Sequence, residues 1–250
     1  MMITNELKIR MKIILDDLFK TYMLFVASEY SNVSPPVHIR TLAQKLAGLK
    51  DNKNRGGRLC VSMPPRHSKS SMISLTFPLW LIWNDPNLDI LIVNSSASLS
   101  ENFGIRLREL FKRYDESSGI YLSDVKHSST HLKFQNEEGE LFNGSIRLVG
   151  ADGSITGTNA DYLIIDDPYK GFEDITPTLL QKKINWFRNI ILQRLEPHSH
   201  LVICHTRWSE NDLQGYLKKN HEEDYQFLSF PAVLKNGSSL WDERYLKDFF

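Results

Sequence analysis

The spacing of apolar positions changes along this chain. Between residues 5 and 30 they recur at helical intervals (Leu7, Met11, Ile14, Leu15, Leu18, Tyr22, Phe25), which predicts an amphipathic helix. Pro35-Pro36 breaks the pattern, because proline disfavours helix before it and suits a first helical turn. A second helix is expected over residues 37–49. After the Gly56-Gly57 loop the pattern becomes short, continuous apolar runs. Residues 58–63 (RLCVSM), 88–94 (LDILIVN), 162–166 (YLIID) and 201–206 (LVICHT) read as strands.

Helical spacing fills the intervals. Residues 69–83 form one candidate, with Pro78 marking an irregularity. Residues 98–114 place Leu99, Phe103, Leu107 and Leu110 on one face, and 177–195 and 209–219 complete the set. Two shorter runs, 132–135 and 145–149, are expected to pair as a hairpin. A strand at 226–230 and a terminal helix close the chain. Strands that are apolar throughout, alternating with helices, predict an α/β fold with a mostly parallel central sheet covered on both faces.

Composition narrows the function classes. Of 250 residues, 41% are hydrophobic and 24% charged, enough for a core. Lys+Arg and Asp+Glu are both 30, so net charge offers no argument for a polyanion partner, which would need a local basic patch. The two cysteines, Cys60 and Cys204, sit in apolar strand runs and do not form a disulfide framework. No apolar stretch approaches the roughly 20 residues of a membrane helix. The N-terminus lacks a secretory cleavage site, so no membrane association is expected.

Candidate chemistry begins at Met63-Pro64-Pro65-Arg66-His67-Ser68-Lys69-Ser70, between a predicted strand and a predicted helix. A phosphate loop requires that context: backbone N–H groups wrap phosphates, a lysine neutralises them and the next hydroxyl holds Mg²⁺. Lys69 and Ser70 are placed for those roles, and Arg66 for the γ-phosphate. The pattern G-x-x-x-x-G-K-[ST] is broken twice, by Met63 and Ser68. On these residues alone, a phosphate loop and a proline-rich turn before a basic helix start are both open.

A second signal is the strand that runs into Asp166-Asp167-Pro168. Read alone it is either a solvated Asp-Asp-Pro turn or a strand that carries two acids to the carboxyl edge of the sheet, where ligands bind in open α/β folds. Side chains of adjacent residues diverge only while a strand continues, and Pro168 ends it, so Asp167 is expected to turn toward the same site as Asp166. The strand before His205-Thr206-Arg207-Trp208 makes Thr206 a candidate γ-phosphate sensor. Its alternative role is a cap for a helix starting near Ser209.

With these stretches in hand, the chain resembles the large terminase subunits of tailed bacteriophages, the ATPase motors that package DNA. The matching stretches are RLCVSMPPRHSKS, ILIVNSSASLSENFGIRLREL, GSITGTNADYLIIDDP, LVICHTRWSENDLQGYL and FPAVLKNGSSLWDERY, in order across about residues 58–246. The resemblance implies a P-loop NTPase of the ASCE type, in which an additional strand separates the phosphate loop from the acidic strand. The interval from Lys69 to Asp166 has room for the ILIVN strand and two helices. It further implies an N-terminal helical segment (1–57), an ATPase core (58–208) and a small lid or linker subdomain (209–250), without a nuclease domain or nuclease activity.

By the same resemblance, ATP lies on Pro65, Arg66, His67, Ser68, Lys69, Ser70 and Ser71, and Mg²⁺ on Ser70 and Asp166. Asp167, Arg66 and Thr206 carry catalysis, and His205-Thr206-Arg207 couples hydrolysis to movement. The implied partners are double-stranded DNA, the portal protein, the small terminase subunit and further copies in a ring on the portal. The implied setting is the host cytoplasm.

Two departures stand out: Ser68 replaces the family's glycine, and Thr158 stands where many members carry an arginine. Arg106, Arg108, Arg113 and Arg147 are candidate substitutes for an arginine acting in trans. A nucleotide-binding scaffold without turnover and a helicase-like translocase are the alternative functions.

Weaker signals complete the reading. Lys182, Lys183, Arg188 and Arg194, with Trp186 and Phe187, lie on a helix that either touches DNA phosphates or presents a solvated basic face. Trp208 and Trp241 read as core or interface residues. His127 and His131 would need a third ligand to hold a metal. His38 and Arg40 are candidates for contacting adenine or stabilising the loop.

Overall fold

The computed structural model describes residues 17–29, 36–50, 56–124, 128–153, 155 and 160–245. Helices α1 (Leu18–Glu29) and α2 (Val37–Ala47) precede strand β1 (Arg58–Ser62). After the loop at 63–68, a π-helical stretch (Ser71–Thr76) runs into α3 (Phe77–Asn84). Then come β2 (Asp89–Asn94), α4 (Ala97–Ser118), β3 (Tyr121–Leu122), β4 (His131–Gln135), β5 (Leu141–Gly150) and β6 (Ala160–Asp166). Helix α5 (Pro177–Trp186), β7 (Leu195–His205), α6 (Leu213–Asn220) and β8 (Gln226–Ser229) complete the order.

The strands form one sheet in the order β3-β4-β5-β2-β6-β7-β1-β8 among the described residues. From β5 to β8 every pairing is parallel; β3, β4 and β5 pair antiparallel, so the expected hairpin gains a short third strand. Alternate strand residues feed two cores. Val61, Ile92, Ile164 and Val202 pack under α1 to α4, while Cys60, Leu91, Val93, Leu163, Ile165 and Ile203 pack against α5, α6 and the turn at Phe187 and Ile191. Burial on both faces explains why these strands read as continuous apolar runs. No helix among the described residues is long and apolar enough to cross a membrane.

Four expectations are corrected. The strand between the phosphate-loop strand and the acidic strand is β7, not the ILIVN strand; β2 lies on the far side of β6. Sequence interval therefore says nothing about which strand intervenes. The helix expected over 177–195 stops at Trp186, passes through a π turn (Phe187–Ile191) and a 3₁₀ turn (Leu192–Arg194), and yields to β7 at Leu195. The opening of β7, Leu195 to His200, holds only one large apolar side chain, so it escaped the apolar pattern; Ala160 pairs with Leu195, and Gly56 N–H donates to Pro197 O at 3.1 Å.

The helix expected from 209 begins at Leu213, because Asp212 is the stronger cap: its Oδ1 accepts from Gly215 N–H at 2.9 Å. Thr206 caps nothing. Residues 241–245 form a single turn closed by Tyr245 N–H on Trp241 O at 2.9 Å, and the rest of the expected terminal helix lies outside the described residues.

The irregularity at Pro78 takes a specific form. Proline has no N–H for the Ser74 carbonyl and its ring crowds that carbonyl. The turn before it widens: Phe77 N–H donates to Met72 O, five residues back, and the Thr76 hydroxyl donates to Ser71 O at 2.9 Å. Ser74, fully buried, sits in this widened turn.

Candidate active site

Strands β6, β7 and β1 are neighbours, and the segments leaving their carboxyl ends meet. Three non-glycine residues among the described ones have left-handed backbone: Arg66 (φ 62°), Ser68 (φ 64°) and Asp167 (φ 48°). All three are at this meeting point. Such backbone costs about 1–2 kcal/mol per residue and persists where surrounding structure enforces it. In the loop the sign of φ alternates, because His67, between two left-handed residues, is not left-handed. Alternation of this kind turns successive N–H groups to one side and makes a concave anion nest.

The two departures from the glycine pattern therefore differ. Ser68 adopts the conformation for which glycine is used. Met63 does not: its backbone is not left-handed, and its side chain is buried in the core under α1 to α4.

Lys69 and Asp167 form an ion pair with Lys69 buried beneath the loop. Asp167 N–H donates to Cys204 O at 2.8 Å, while its Oδ1 accepts from Thr206 N–H at 3.2 Å. The Thr206 hydroxyl donates to Met63 O at 3.3 Å, tying the end of β7 to the start of the loop. Asp166 is buried, and its Oδ2 accepts from the Ser74 hydroxyl at 2.6 Å. Its Oδ1 is buried with no hydrogen-bond partner.

Burial raises the Asp166 pKa to about 6; Lys69 opposes the shift, Asp167 adds to it, and the Ser74 and Ser70 hydroxyls oppose it. Burial also works against the Lys69 ammonium, but the Asp167 and Asp166 carboxylates outweigh it and hold its pKa above the ordinary lysine value. Burial drives the Cys204 thiol well above its usual range, so it stays neutral.

The orphaned Asp166 oxygen beside Ser70 is the feature that fits a divalent cation. Among the described residues no cluster of three or more His, Cys, Asp or Glu side chains is arranged as a metal cage. Mg²⁺ needs none, since it takes one or two protein ligands and fills its octahedron with water and phosphate oxygens.

A cavity of about 520 Å³ opens over these groups, lined by Pro65, Arg66, Ser68, Lys69, Ser70 and Ser71 from the loop and by Asp167 and Thr206 opposite. Of the expected site residues, His67 and Asp166 do not line it: the His67 ring is fully buried behind the loop, and Asp166 lies beneath it. Sequence reasoning missed Ser74, which no motif marks, and the wall residues Ser95, Leu99, Tyr169, Lys170 and Arg244. Trp208, expected in a core or interface, lines the cavity and meets the exposed Phe172 edge-on at 4.8 Å. Trp241 is buried, as expected.

The stretch His205-Thr206-Arg207, expected to couple hydrolysis to movement, is tightly held. Arg207 Nε donates to Asp212 Oδ2 at 2.9 Å, and that oxygen also accepts from Trp208 and Ser209 N–H. Leu213 N–H donates to the Tyr169 hydroxyl at 2.7 Å, linking the chain after the two acids to α6. Gln214 Nε2 donates to Val61 O at 2.8 Å and to Ile203 O at 3.4 Å, joining α6 to β1 and β7 together. Burial lowers the His205 pKa, keeping its ring neutral.

The remaining candidates lie elsewhere. Arg106, Arg108, Arg113 and Arg147 are not among the cavity's lining residues; Arg108 donates to Ser128 O at 2.6 Å. Thr158 and His127 lie outside the described residues. Lys182 and Arg188 are exposed on and just after α5, Lys183 lies over Trp186 at 5.1 Å, and Phe187 is buried. Arg40 covers the Phe19 ring at 4.5 Å, away from the loop, whereas His38 reaches the loop backbone.

No family model matches the chain. The large terminase subunit of Enterobacteria phage T3 is 29% identical over 223 residues, covering 84% of this chain and 35% of that protein. The chain thus spans about a third of the length of this curated relative. Among solved structures, the large terminase of a thermophilic bacteriophage superposes with a TM-score of 0.52 at 15% identity, over 84% of this chain and 48% of that one. A variant of the large terminase ATPase domain of Thermus phage P74-26 superposes with a TM-score of 0.50 at 14% identity, over 75% and 79%. The resemblance to large terminase subunits read from the motifs is borne out, and the fold is the P-loop fold of the ASCE type.

Proposed function

On that kinship we propose that this chain is an ATPase motor domain of a DNA-packaging terminase, hydrolysing ATP to drive double-stranded DNA into a procapsid. The observation that carries the reading is the convergence of an anion nest, Lys69 and two carboxylates at the carboxyl edges of three neighbouring strands.

In this reading the N–H groups of residues 66–71 hold the phosphates, Lys69 and Arg66 neutralise their charge, and Ser70 with the orphaned oxygen of Asp166 would hold Mg²⁺, which would supply positive charge to offset that of the phosphate tail. Asp167 orients the attacking water and takes its proton as the new P–O bond forms and the bond to the ADP oxygen breaks. Lys69 first holds Asp167. Oxygens of an arriving γ-phosphate compete for the same ammonium, so substrate binding frees the carboxylate for the water. Thr206, bonded to both Asp167 and the loop, registers the change and passes it to the Arg207–Asp212 loop and α6.

Contacts of Lys182, Arg188 and Arg194 with DNA phosphates, docking on the portal protein and the small subunit, assembly into a ring with an arginine supplied in trans, and action in the host cytoplasm belong to the same proposal and rest on the kinship.

Phosphate release from Mg·ATP tests the core of it. Lys69→Ala and Asp167→Ala are each expected to lower turnover by about 10²–10⁴-fold, the range for losing a positioned general base or its equivalent. Turnover that neither substitution touches overturns the mechanism. Tight Mg·ATP binding without turnover, with or without DNA, favours the nucleotide-binding scaffold instead.

A further inference from the structure

The nest is left-handed at two non-glycine residues, so something must hold it. Three consecutive carbonyls on its outer side are tethered. Pro65 O meets His67 Nδ1 at 2.8 Å, Arg66 O accepts from the Tyr245 hydroxyl at 3.0 Å, and His67 O meets His38 Nε2 at 3.2 Å. With the carbonyls as acceptors, His67 carries its proton on Nδ1 and His38 on Nε2.

A trans peptide points its N–H opposite its C=O. Drawing these three oxygens backward therefore aims the N–H groups of Arg66, His67 and Ser68 the other way, toward the cavity that Arg66 and Ser68 line. Two of the tethers come from distant parts of the chain, His38 from α2 and Tyr245 from the turn after β8, and the third, His67, from the loop itself.

The donors are themselves fixed. The His67 ring stacks on Tyr245 with centroids 4.8 Å apart and 29° between planes. Trp241 packs edge-on against His38 at 5.4 Å and Tyr245 at 6.5 Å, and the Arg244 guanidinium covers Trp241 at 4.9 Å. Burial lowers the pKa of His38 to about 4 and also lowers that of His67, so both rings stay neutral in the tautomers the tethers need.

We propose that Tyr245 and His38 are positioning residues of the phosphate loop, which keep its N–H groups turned toward the phosphates of a bound nucleotide. The proposal rests on the reading that this cavity takes those phosphates.

The test measures Mg·ATP affinity and steady-state kinetics on the full chain. Tyr245→Phe keeps the stack on His67 and loses only the hydroxyl. It is expected to weaken Mg·ATP binding about 2–10-fold, the scale of one hydrogen bond, mainly through KM and with little change in kcat. His38→Ala should do the same or more, and His38→Gln, whose amide donates to the same carbonyl, should recover most of the loss. Ser68→Gly placed on Tyr245→Phe should restore affinity, because glycine holds the left-handed conformation without a tether.

Wild-type affinity in Tyr245→Phe and His38→Ala, alongside lost affinity in Lys69→Ala, overturns the positioning role and leaves the site reading standing. Loss in the tether variants that neither His38→Gln nor Ser68→Gly rescues also overturns it, since a general packing defect would behave that way. If Lys69→Ala binds as well as wild type, the site reading itself falls, and the proposal with it.

Discussion

The two halves of the sheet solve different problems. In the parallel half, β2, β6, β7 and β1 are buried on both faces, and the segments leaving β1 and β6 carry every left-handed non-glycine residue among the described ones. In the antiparallel half, β4 alternates between half-buried and buried residues, Leu132 and Phe134 facing α4, and its turns use glycine where φ is positive, as at Gly139. One half stores conformational strain at its strand ends and gathers charge there; the other satisfies its backbone locally. Parallel strands leave their carboxyl ends on one edge, so loops far apart in sequence meet, whereas an antiparallel hairpin sends alternate ends to opposite edges.

The contrast is broken most severely in the antiparallel half. Phe134 is fully buried against Phe111, with ring centroids 4.7 Å apart. Phe134→Ala is expected to cost about 3–5 kcal/mol of stability, read by chemical denaturation, while the molecules that remain folded keep wild-type Mg·ATP affinity. A selective loss of affinity without loss of stability would show that this half participates in the site.

A change of pH acts on the parallel half through Asp166. Its pKa in the folded chain, about 6, lies above the ordinary aspartate value of 3.8. The native state therefore takes up this proton at a higher pH than the unfolded chain does. The contribution of Asp166 to stability without ligand is present below about pH 4 and is lost as pH rises through 6. On the proposed site a metal would need the carboxylate, so stabilisation by Mg·ATP is expected to run the opposite way and shrink as pH falls below 6. Thermal unfolding with and without Mg·ATP at pH 5 and pH 7.5 reads both trends, and Asp166→Asn should remove the pH dependence of the ligand effect.

The smallest expected effect sharpens the comparison at one residue. Ser68→Gly relieves left-handed strain and should raise stability by up to about 1 kcal/mol, after glycine's greater unfolded-state entropy offsets part of the gain. The same substitution at Met63, where no left-handed backbone exists, should destabilise by emptying a core position.

That pair of residues also shows what was legible in the sequence. The strands, the loop and both acids were readable because apolar runs and strand-end chemistry are local patterns. Asp167 turned toward Lys69 as Pro168 required. The strand lying between loop and acids was not readable, because strand order depends on where crossovers pack. Nor was Ser74, whose role depends on a π turn that Pro78 induces four residues later. The start of α6 was misplaced because Ser209 and Asp212 are both good caps, and the choice fell to a carboxylate that also collects Arg207 and two further N–H groups. Tyr245 was invisible: its hydroxyl meets a loop 179 positions away.

The side chain of Gln214 reaches the carbonyls of Val61 and Ile203 at once. One amide thereby rivets the strand that leads into the loop to the strand that leads into Thr206. Those two rails share a single frame, so the entrance to the loop and the approach to Thr206 keep their spacing.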